Sequence, residues 1–514
     1  MGRINSNIAS LNAQQNLAKS QNELQNRLTR LSTGLRINRG ADDPAGLIVS
    51  ERLRSEISGI DQGIKNSDRA SNVIATTEGS LGEVSNLLNS IKALVVEGAN
   101  TGALSKDEIA ANQLQIDSAI DSITRISNTA SFGGLKLLNG SLAYSLSGIA
   151  TSAIAKTNVY GVSFGDRTKV DVSVDVLASA QHANLFFNTN FAAATAGSAV
   201  LPSSVTLEIA GPSGVIELSF VSGTSIDSIA QAINDRASVT GVTAARQSAT
   251  NATSGLQFSS AAYGTDAFVS IKKVSGGKSY TFATQKNDAP GPINWANAST
   301  WTAADRDLGK DVVVLVNGAV ATGRGLNIQL RNPELDMQMT LDPAFATRIS
   351  TTSKTFVVTG GGSRFQLGPQ VNANQQTNIG FESVAATRLG GSIVTDPTTG
   401  NQVLEYLSSL KSGGVNELAT GNLVNASTIL DTAIDEISTV RGRLGAFEQN
   451  VLQTNSRSLQ INLENITASE SAIRDANFAE ETSNLTRAQV LVSAGTSVLA
   501  AANQSAQSVL QLLG

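Results

Sequence analysis

Residues 31–47 read LSTGLRINRGADDPAGL. A leucine-spaced helical pattern runs into this stretch: Leu24, Leu28, Leu31 and Leu35 alternate steps of four and three, and Leu17 sits one heptad earlier. The pattern breaks at Gly34, Gly40 and Pro44, and a second apolar stripe, Leu53, Ile57, Ile60 and Ile64, starts soon after. Gly34 is placed to close the first helix as a left-handed cap. Asp43 before Pro44 is placed to open the next, because proline suits the first helical position. Arg36 and Arg39 lie within reach of Asp42 or Asp43 for local ion pairs, with Asn38 between them. The joint reads either as a solvated linker or as a hinge between two coaxial helical layers, and local physics leaves both open.

Outward from the joint, helical spacing dominates both ends of the chain. Ile4, Ile8 and Leu11 form a short stripe ahead of it. Leu81, Val84, Leu88, Ile91 and Val95 continue beyond it, followed by Ile109, Ile116, Ile120 and Ile123. Near the C-terminus, Leu423, Ala426, Leu430, Ala433, Ile437, Val440, Leu444, Phe447 and Val451 alternate steps of three and four. So do Leu485, Ala488, Val492, Gly495, Leu499, Ala502, Ala506, Val509 and Leu513. A 45-residue helix would be roughly 70 Å long, and rods of that length need partner helices to bury their seams.

The middle, about 141–400, changes period. VTLEIA (205–210) and VIELSF (215–220) flank GPSG, two alternating strands around a turn. KDVVVLVNGAVATG (310–323) carries Asn317-Gly318, the strongest short hairpin signal. SIDSIAQAINDRA (225–237) is a short amphipathic helix with Ser225 as its N-cap. The fold class expected is α+β. Long N- and C-terminal helices pack as a coiled-coil bundle, and β-rich domains inserted in the middle project away.

Composition bounds the chemistry. Charged residues make up 15% of the 514, against about 25% in an average globular protein. The net charge of -5 leaves no electrostatic footprint for nucleic acid. There is no cysteine, which excludes disulfides and thiolate chemistry, and the only histidine is His182, so a two-histidine zinc site within one chain is impossible. His182 reads as an ordinary surface or half-buried residue. Glu480-Glu481 reads as a solvated face or as helix-start charge. GGGSRF (360–365) lacks the Lys-Ser/Thr of a phosphate loop. No uninterrupted apolar run approaches the ~18 residues of a membrane span. MGRINSNIASLNAQQN has no apolar core of a secretory signal, so any export needs another route. No cofactor, metal or catalytic residue is expected.

LSTGLRINRGADDPAGL resembles the N-terminal signature of the bacterial flagellins. The likeness continues through TRISNTASFGGLKLLNG (124–140), and through residues 437–491 and 497–514 at the other end. Residues 205 to about 275 resemble, more weakly, the IN motif of flagellins and hook-associated proteins.

The resemblance implies a structural subunit that self-assembles into the extracellular flagellar filament used for swimming. Residues 1–40 and 456–514 would be paired inner-tube helices. Residues 41–140 and 364–455 would form the surrounding bundle, with a β-hairpin within 364–391. Residues 141–363 would be the outer domains. Assembly would run through the terminal seams, Ile4, Ile8, Leu11, Leu24, Leu28, Leu31, Leu485, Val492, Leu499, Val509 and Leu513. The joint of Gly34, Arg36, Asn38, Asp42, Asp43 and Pro44 would connect layers and contact other subunits.

Implied partners are further copies of the chain, an export chaperone, and cap and hook-associated proteins, reached by the flagellar type III export route. No nucleic acid and no membrane insertion are expected. The alternatives are a hook–filament junction protein, or a surface adhesin carried on a filament. One stretch departs from the family. The helix that many flagellins present to a vertebrate innate receptor, Toll-like receptor five, reads LNSIKALVVE (88–97) here, with Ser90 and Ala93 at the charged positions, Leu94 kept, and Gln115 on the next helix. Loss of a charge-assisted donor predicts weak or absent receptor activation.

Overall fold

The computed structural model describes residues 7–511, apart from 101, 166, 189–191, 196–197, 249–251, 277–279, 287–291, 350–351 and 397–400. Its helices are α1 (Ile8–Thr33), α2 (Pro44–Gly98), α3 (Lys106–Thr129), α4 (Ile226–Asn234), α5 (Ala237–Thr240), α6 (Pro343–Ala346), α7 (Leu423–Phe447), α8 (Thr454–Arg474) and α9 (Phe478–Gln511). A π-helical segment, Glu448–Gln453, joins α7 to α8. The chain divides into two compact units. One comprises Met1–Ser71, Phe365–Gln376 and Ala446–Gly514, and the other Asn72–Arg364 and Thr377–Gly445. The division falls inside α2, whereas the sequence reading puts its layer boundary at 40/41.

In the first unit α1 pairs with α9 over most of its length. Ser10 and Ala13 are buried on α1, and Leu17, Leu24, Arg27 and Leu31 are half-buried on the same face. Opposite them, Glu481 and Ala488 are buried on α9, and Leu485, Val492, Gly495 and Leu499 are half-buried. Gly495 lets α9 approach closely, since a Cβ there would stand 3.2 Å from Leu17 Cδ1. The stretch 456–514, expected as one terminal helix, is not one rod. Asp475 is extended (φ -77°, ψ 148°) and breaks it into α8 and α9. Asn477 then caps α9, its side chain accepting the amide of Ala479 at 3.2 Å.

The α7 seam is buried at Ala426, Leu430, Ala433, Ile437 and Leu444 as its spacing requires. Beyond it the expected register fails. The π-helical segment holds an extra residue per turn, so the next buried positions are Leu452 and Leu459 rather than Val451.

The second unit carries the rest of the bundle. Leu81, Val84, Leu88, Ile91 and Val95 of α2, and Ile116, Ile120 and Ile123 of α3, are at most 2% exposed. A capping box of Ser105 and Glu108 starts α3. Lys92 of α2 ion-pairs with Asp431 of α7 at 2.7 Å.

The β-rich part of this unit is nested. An eight-stranded antiparallel sheet runs from Tyr144–Ser147 through Lys354–Gly361, Val170–Ala178, Val313–Val316, Ala319–Arg324, Asn327–Arg331 and Leu335–Leu341 to Ile154–Val162. Its alternate residues, among them Val172, Val174, Val314, Ile328, Met337 and Phe356, share one apolar core. The chain leaves this sheet at Gln181 and returns at Lys310, the two backbones exchanging hydrogen bonds of 3.0 Å in both directions. Between them lies a distal lobe with a second core of Leu185, Phe187, Leu207, Ile229, Phe258 and Ile271.

Both hairpins foreseen in the middle form. Val205–Gly211 pairs with Gly214–Phe220, Gly211 opposite Gly214. The other turns through Asn317 (φ 50°) and Gly318 (φ 80°), a pair of left-handed residues. α4 starts from Ser225, whose side chain accepts the Ser228 amide at 3.1 Å. The strands Ser363–Gln366 and Gln376–Ile379 form a separate two-stranded sheet.

Candidate functional site

The joint takes its shape from both ends of the chain. Gly34 adopts φ 74° and its amide closes α1 onto the Arg30 carbonyl at 2.9 Å. Leu35 then bridges antiparallel to Asp475. The Arg36 amide donates to the Arg474 carbonyl at 2.7 Å, and the Ala476 amide to the Gly34 carbonyl at 2.9 Å. The joint after α1 thus pairs with the break between α8 and α9.

The local ion pairs expected here do not form as such. The Arg36 Nε donates to the Ile473 carbonyl at 3.2 Å. The Asp42 carboxylate instead accepts the backbone amides of Asn38 (3.0 Å) and Arg39 (2.8 Å). Those amides, Arg39's first, hold its carboxyl below the ordinary value. A fixed backbone amide is a better partner than a solvated guanidinium with four rotatable bonds. Asn38 reaches back to the Leu35 carbonyl at 2.8 Å, Asp43 caps α2 through the Gly46 amide at 2.9 Å, and Pro44 opens that helix. Ile37 is buried at 1% exposure, and Arg474 holds Glu51 at 3.0 Å.

The predicted seam residues separate into two faces. Leu24, Leu31, Leu485, Val492 and Leu499 lie on the faces by which α1 and α9 cover each other. Ile8, Leu11 and Leu28 are about half exposed (54%, 53% and 49%) and point away from that pairing. Val490, Leu491 and Val498 do the same on α9, as do Ile48, Val49 and Phe478 beside the joint. Ile4, Leu513 and the side chain of Val509 lie outside the described residues. Phe478–Ser505 is also long and apolar enough to cross a membrane by length and composition alone. Its apolar residues are interspersed with Ser, Thr, Asn and Gln and with Glu480, Glu481 and Arg487, so it holds no long uninterrupted run.

One polar group in this pairing escaped the sequence reading. Glu481, taken as solvated or helix-start charge, is 6% exposed. Its carboxylate accepts Arg27 Nη1 at 3.0 and 2.9 Å and Arg30 Nη1 at 3.2 Å. Burial alone would raise this carboxyl, but the bonds from Arg27 and Arg30 outweigh it and the group lies below its ordinary value. The same bond to Glu481 raises the Arg27 guanidinium.

Among the described residues no group of three or more His, Asp and Glu is arranged to hold a metal ion. His182 is half-buried in the distal lobe's attachment, its Nδ1 3.1 Å from the Ala262 carbonyl and its ring 3.7 Å from that of Tyr263. Burial pushes its pKa down. On α2, Ser90 and Ala93 are exposed and Leu94 half-buried, and Gln115 is exposed on α3.

Residues 4–143 match the bacterial flagellin N-terminal helical region, 427–513 the C-terminal helical region, and 204–262 the flagellin hook IN motif. The chain is 30% identical to the B-type flagellin of Pseudomonas aeruginosa over 99% of both chains. It is 28% identical to a flagellin of Salmonella choleraesuis, again over 99% of both. Against solved structures, a flagellar hook associated protein-3 from Legionella pneumophila aligns with 82% of this chain and 98% of its own at 12% identity, with a TM-score of 0.30.

Proposed function

The chain belongs to the bacterial flagellins, structural subunits of the extracellular filament that drives swimming, and from that premise we propose that α1 and α9 form its assembly element and the subunit's innermost layer. The observation that carries this is the leftover apolar surface. After α1 and α9 have covered one another, Ile8, Leu11, Leu28, Val490 and Val498 remain roughly half exposed or more. Each such side chain contributes roughly 1.5–3 kcal/mol when fully buried. Among the described residues nothing covers them, whereas neighbouring copies in a head-to-tail helical array would.

The paired breaks at Gly34–Pro44 and Asp475–Asn477 support a reading in which this layer is turned off from the next one as a unit. The joint, with exposed Ile48, Val49 and Phe478 beside it, is then a second contact with other copies. Residues 41–140 and 364–455 make the surrounding layer, and 141–363 the outer one. Further proposed partners are an export chaperone and the cap and hook-associated proteins at the two ends of the filament.

The test is polymerisation of the full chain beside a truncation lacking 486–514, followed by electron microscopy. Long uniform tubes are expected from the full chain alone. The truncated chain should stay soluble and retain its β-rich lobes, whose cores it does not touch. Normal filaments from the truncation would overturn the assignment.

A further inference from the structure

The chain holds two Asn-Gly pairs, Asn139-Gly140 and Asn317-Gly318, both in the second unit and both with the asparagine exposed. An asparagine before glycine can lose its side-chain amide, because the next backbone nitrogen can close a succinimide ring on Cγ and glycine has no Cβ to obstruct the approach. The structure holds the two pairs very differently.

Asn317 is tied at both ends of its amide. Its Oδ1 accepts the Ser173 amide at 2.8 Å, and its Nδ2 donates to the Asp171 carbonyl at 3.0 Å. Both partners lie on the neighbouring strand Val170–Ala178, so Cγ is fixed against that strand rather than against Gly318. Asn139 sits in the turn that follows the buried Leu137 and Leu138. Its Oδ1 accepts the Ser141 amide at 3.0 Å. Among the described residues its Nδ2 donates to nothing, and neither does the Gly140 amide. The turn around them is anchored. The Leu138 carbonyl accepts Ser127 Oγ at 2.6 Å and the Val384 amide at 3.1 Å, and the Gly140 carbonyl accepts the Ala143 amide at 3.1 Å. Gly140 adopts φ 85°, and a Cβ there would meet Ser383 Cβ at 3.2 Å.

We propose that Asn139 is a self-modification site, converted without an enzyme to aspartate and isoaspartate, while Asn317 is protected by its bonds. The Gly140 nitrogen gives its proton to solvent and attacks Asn139 Cγ. A C–N bond forms there, the Cγ–Nδ2 bond breaks, and ammonia leaves with a proton from water. A water molecule then opens the ring at either carbonyl. The balance is one water in and one ammonia out, with nothing oxidised or reduced. The Ser141 amide already sits on the oxygen where negative charge gathers during the attack, so it stabilises that intermediate. At Asn317 two hydrogen bonds must break before a ring can close, which slows the reaction by roughly 10–100-fold. Opening at the backbone carbonyl gives isoaspartate and adds a methylene to the main chain between Leu138 and Gly140. That lengthening disturbs the bonds on either side, from the Val384 amide to Leu138 and from the Phe381 amide to the Leu142 carbonyl at 3.1 Å. Only water is consumed, so the modified fraction grows with the age of the chain. No second copy is needed, so the site stands or falls apart from the assembly reading.

The full-length chain is incubated at mildly alkaline pH beside the same chain unfolded in guanidinium, and both are digested at intervals for peptide mass spectrometry. Unfolded, the two asparagines should convert at similar rates. In the native chain Asn139 should stay within about tenfold of its unfolded rate, while Asn317 falls roughly 10–100-fold below its own. Asn139→Gln, whose longer side chain must close a larger ring, should remove the conversion from that peptide and leave Asn317 as it was. Native Asn317 converting as fast as native Asn139 overturns the proposal, as does a native Asn139 slowed as far as Asn317. The comparison of native with unfolded chain needs no variant, so it decides alone should Asn139→Gln fail to fold.

Discussion

Replacing Glu481 by alanine removes a buried carboxylate held by two arginines from the opposite end of the chain. Three bonds are lost, two from Arg27 at 3.0 and 2.9 Å and one from Arg30 at 3.2 Å. Hydrogen bonds to charged groups contribute about 1.5–3 kcal/mol each in favourable settings, and breaking a fully buried pair costs about 3–5 kcal/mol. The arginine side chains are 21% and 25% exposed, so water recovers part of what they lose. A cost of about 3 kcal/mol follows, or roughly 100-fold in the equilibrium between paired and separated α1 and α9.

Hydrogen exchange of amides in 8–33 and 478–505 at neutral pH measures this, with the β-rich lobes as internal reference. Acid should imitate the substitution. A carboxyl lowered in the folded state contributes stability that is present above 4.5, its ordinary value, and is lost as pH falls below it. Arg27→Ala should cost less than Glu481→Ala, since Arg30 remains. Exchange in Glu481→Ala within about threefold of the native chain would refute the reasoning, because it would mean that apolar cover alone sets the pairing.

Gly34→Ala meets open space but must hold φ 74°, so it should cost about 1–2 kcal/mol in α1–joint stability by thermal unfolding. No loss there would mean that the joint relaxes freely. Excising 182–309 should leave a chain that still folds and polymerises, because Gln181 and Lys310 are already hydrogen-bonded neighbours. Filament formation checks it, and an aggregated product would show that the distal lobe supports the sheet beneath it. With Ser90 and Ala93 exposed where the family carries charge, a cell reporter for the innate receptor should respond far more weakly than to an enteric flagellin. Equal potency would refute that.

What was legible in the sequence was local. The turn between Val205–Gly211 and Gly214–Phe220, the Asn317-Gly318 hairpin and the Ser225-capped helix each carry their instructions within a few residues. Sheet topology was not legible. Ile154–Val162 finds Leu335–Leu341 across most of the inserted region, and nothing in either strand names the other. The π-helical segment carries no local signal, so a strict count of threes and fours fell one residue short of Leu452. The break at Asp475–Asn477 did have a signal, an Asn cap, but it falls between the two seams, in a stretch read only through the family resemblance. Glu481 does stand in the first turn of α9, as one of its two readings had it, but its burial was not legible for a different reason. An acidic pair near a helix start has a sufficient local explanation, and the partners that make it buried lie 454 and 451 residues away.

That separation has a consequence in time. Ribosomes add about 5–20 residues per second, so the partner of α1 is made roughly half a minute to a minute and a half after α1 itself. Throughout that interval Leu17, Leu24 and Leu31 have no α9 to meet, while the β-rich lobes, whose strands lie between, can close as soon as they appear. The first helix made is among the last to find its fold, and each chain finishes its terminal layer only when its own last helix has been delivered.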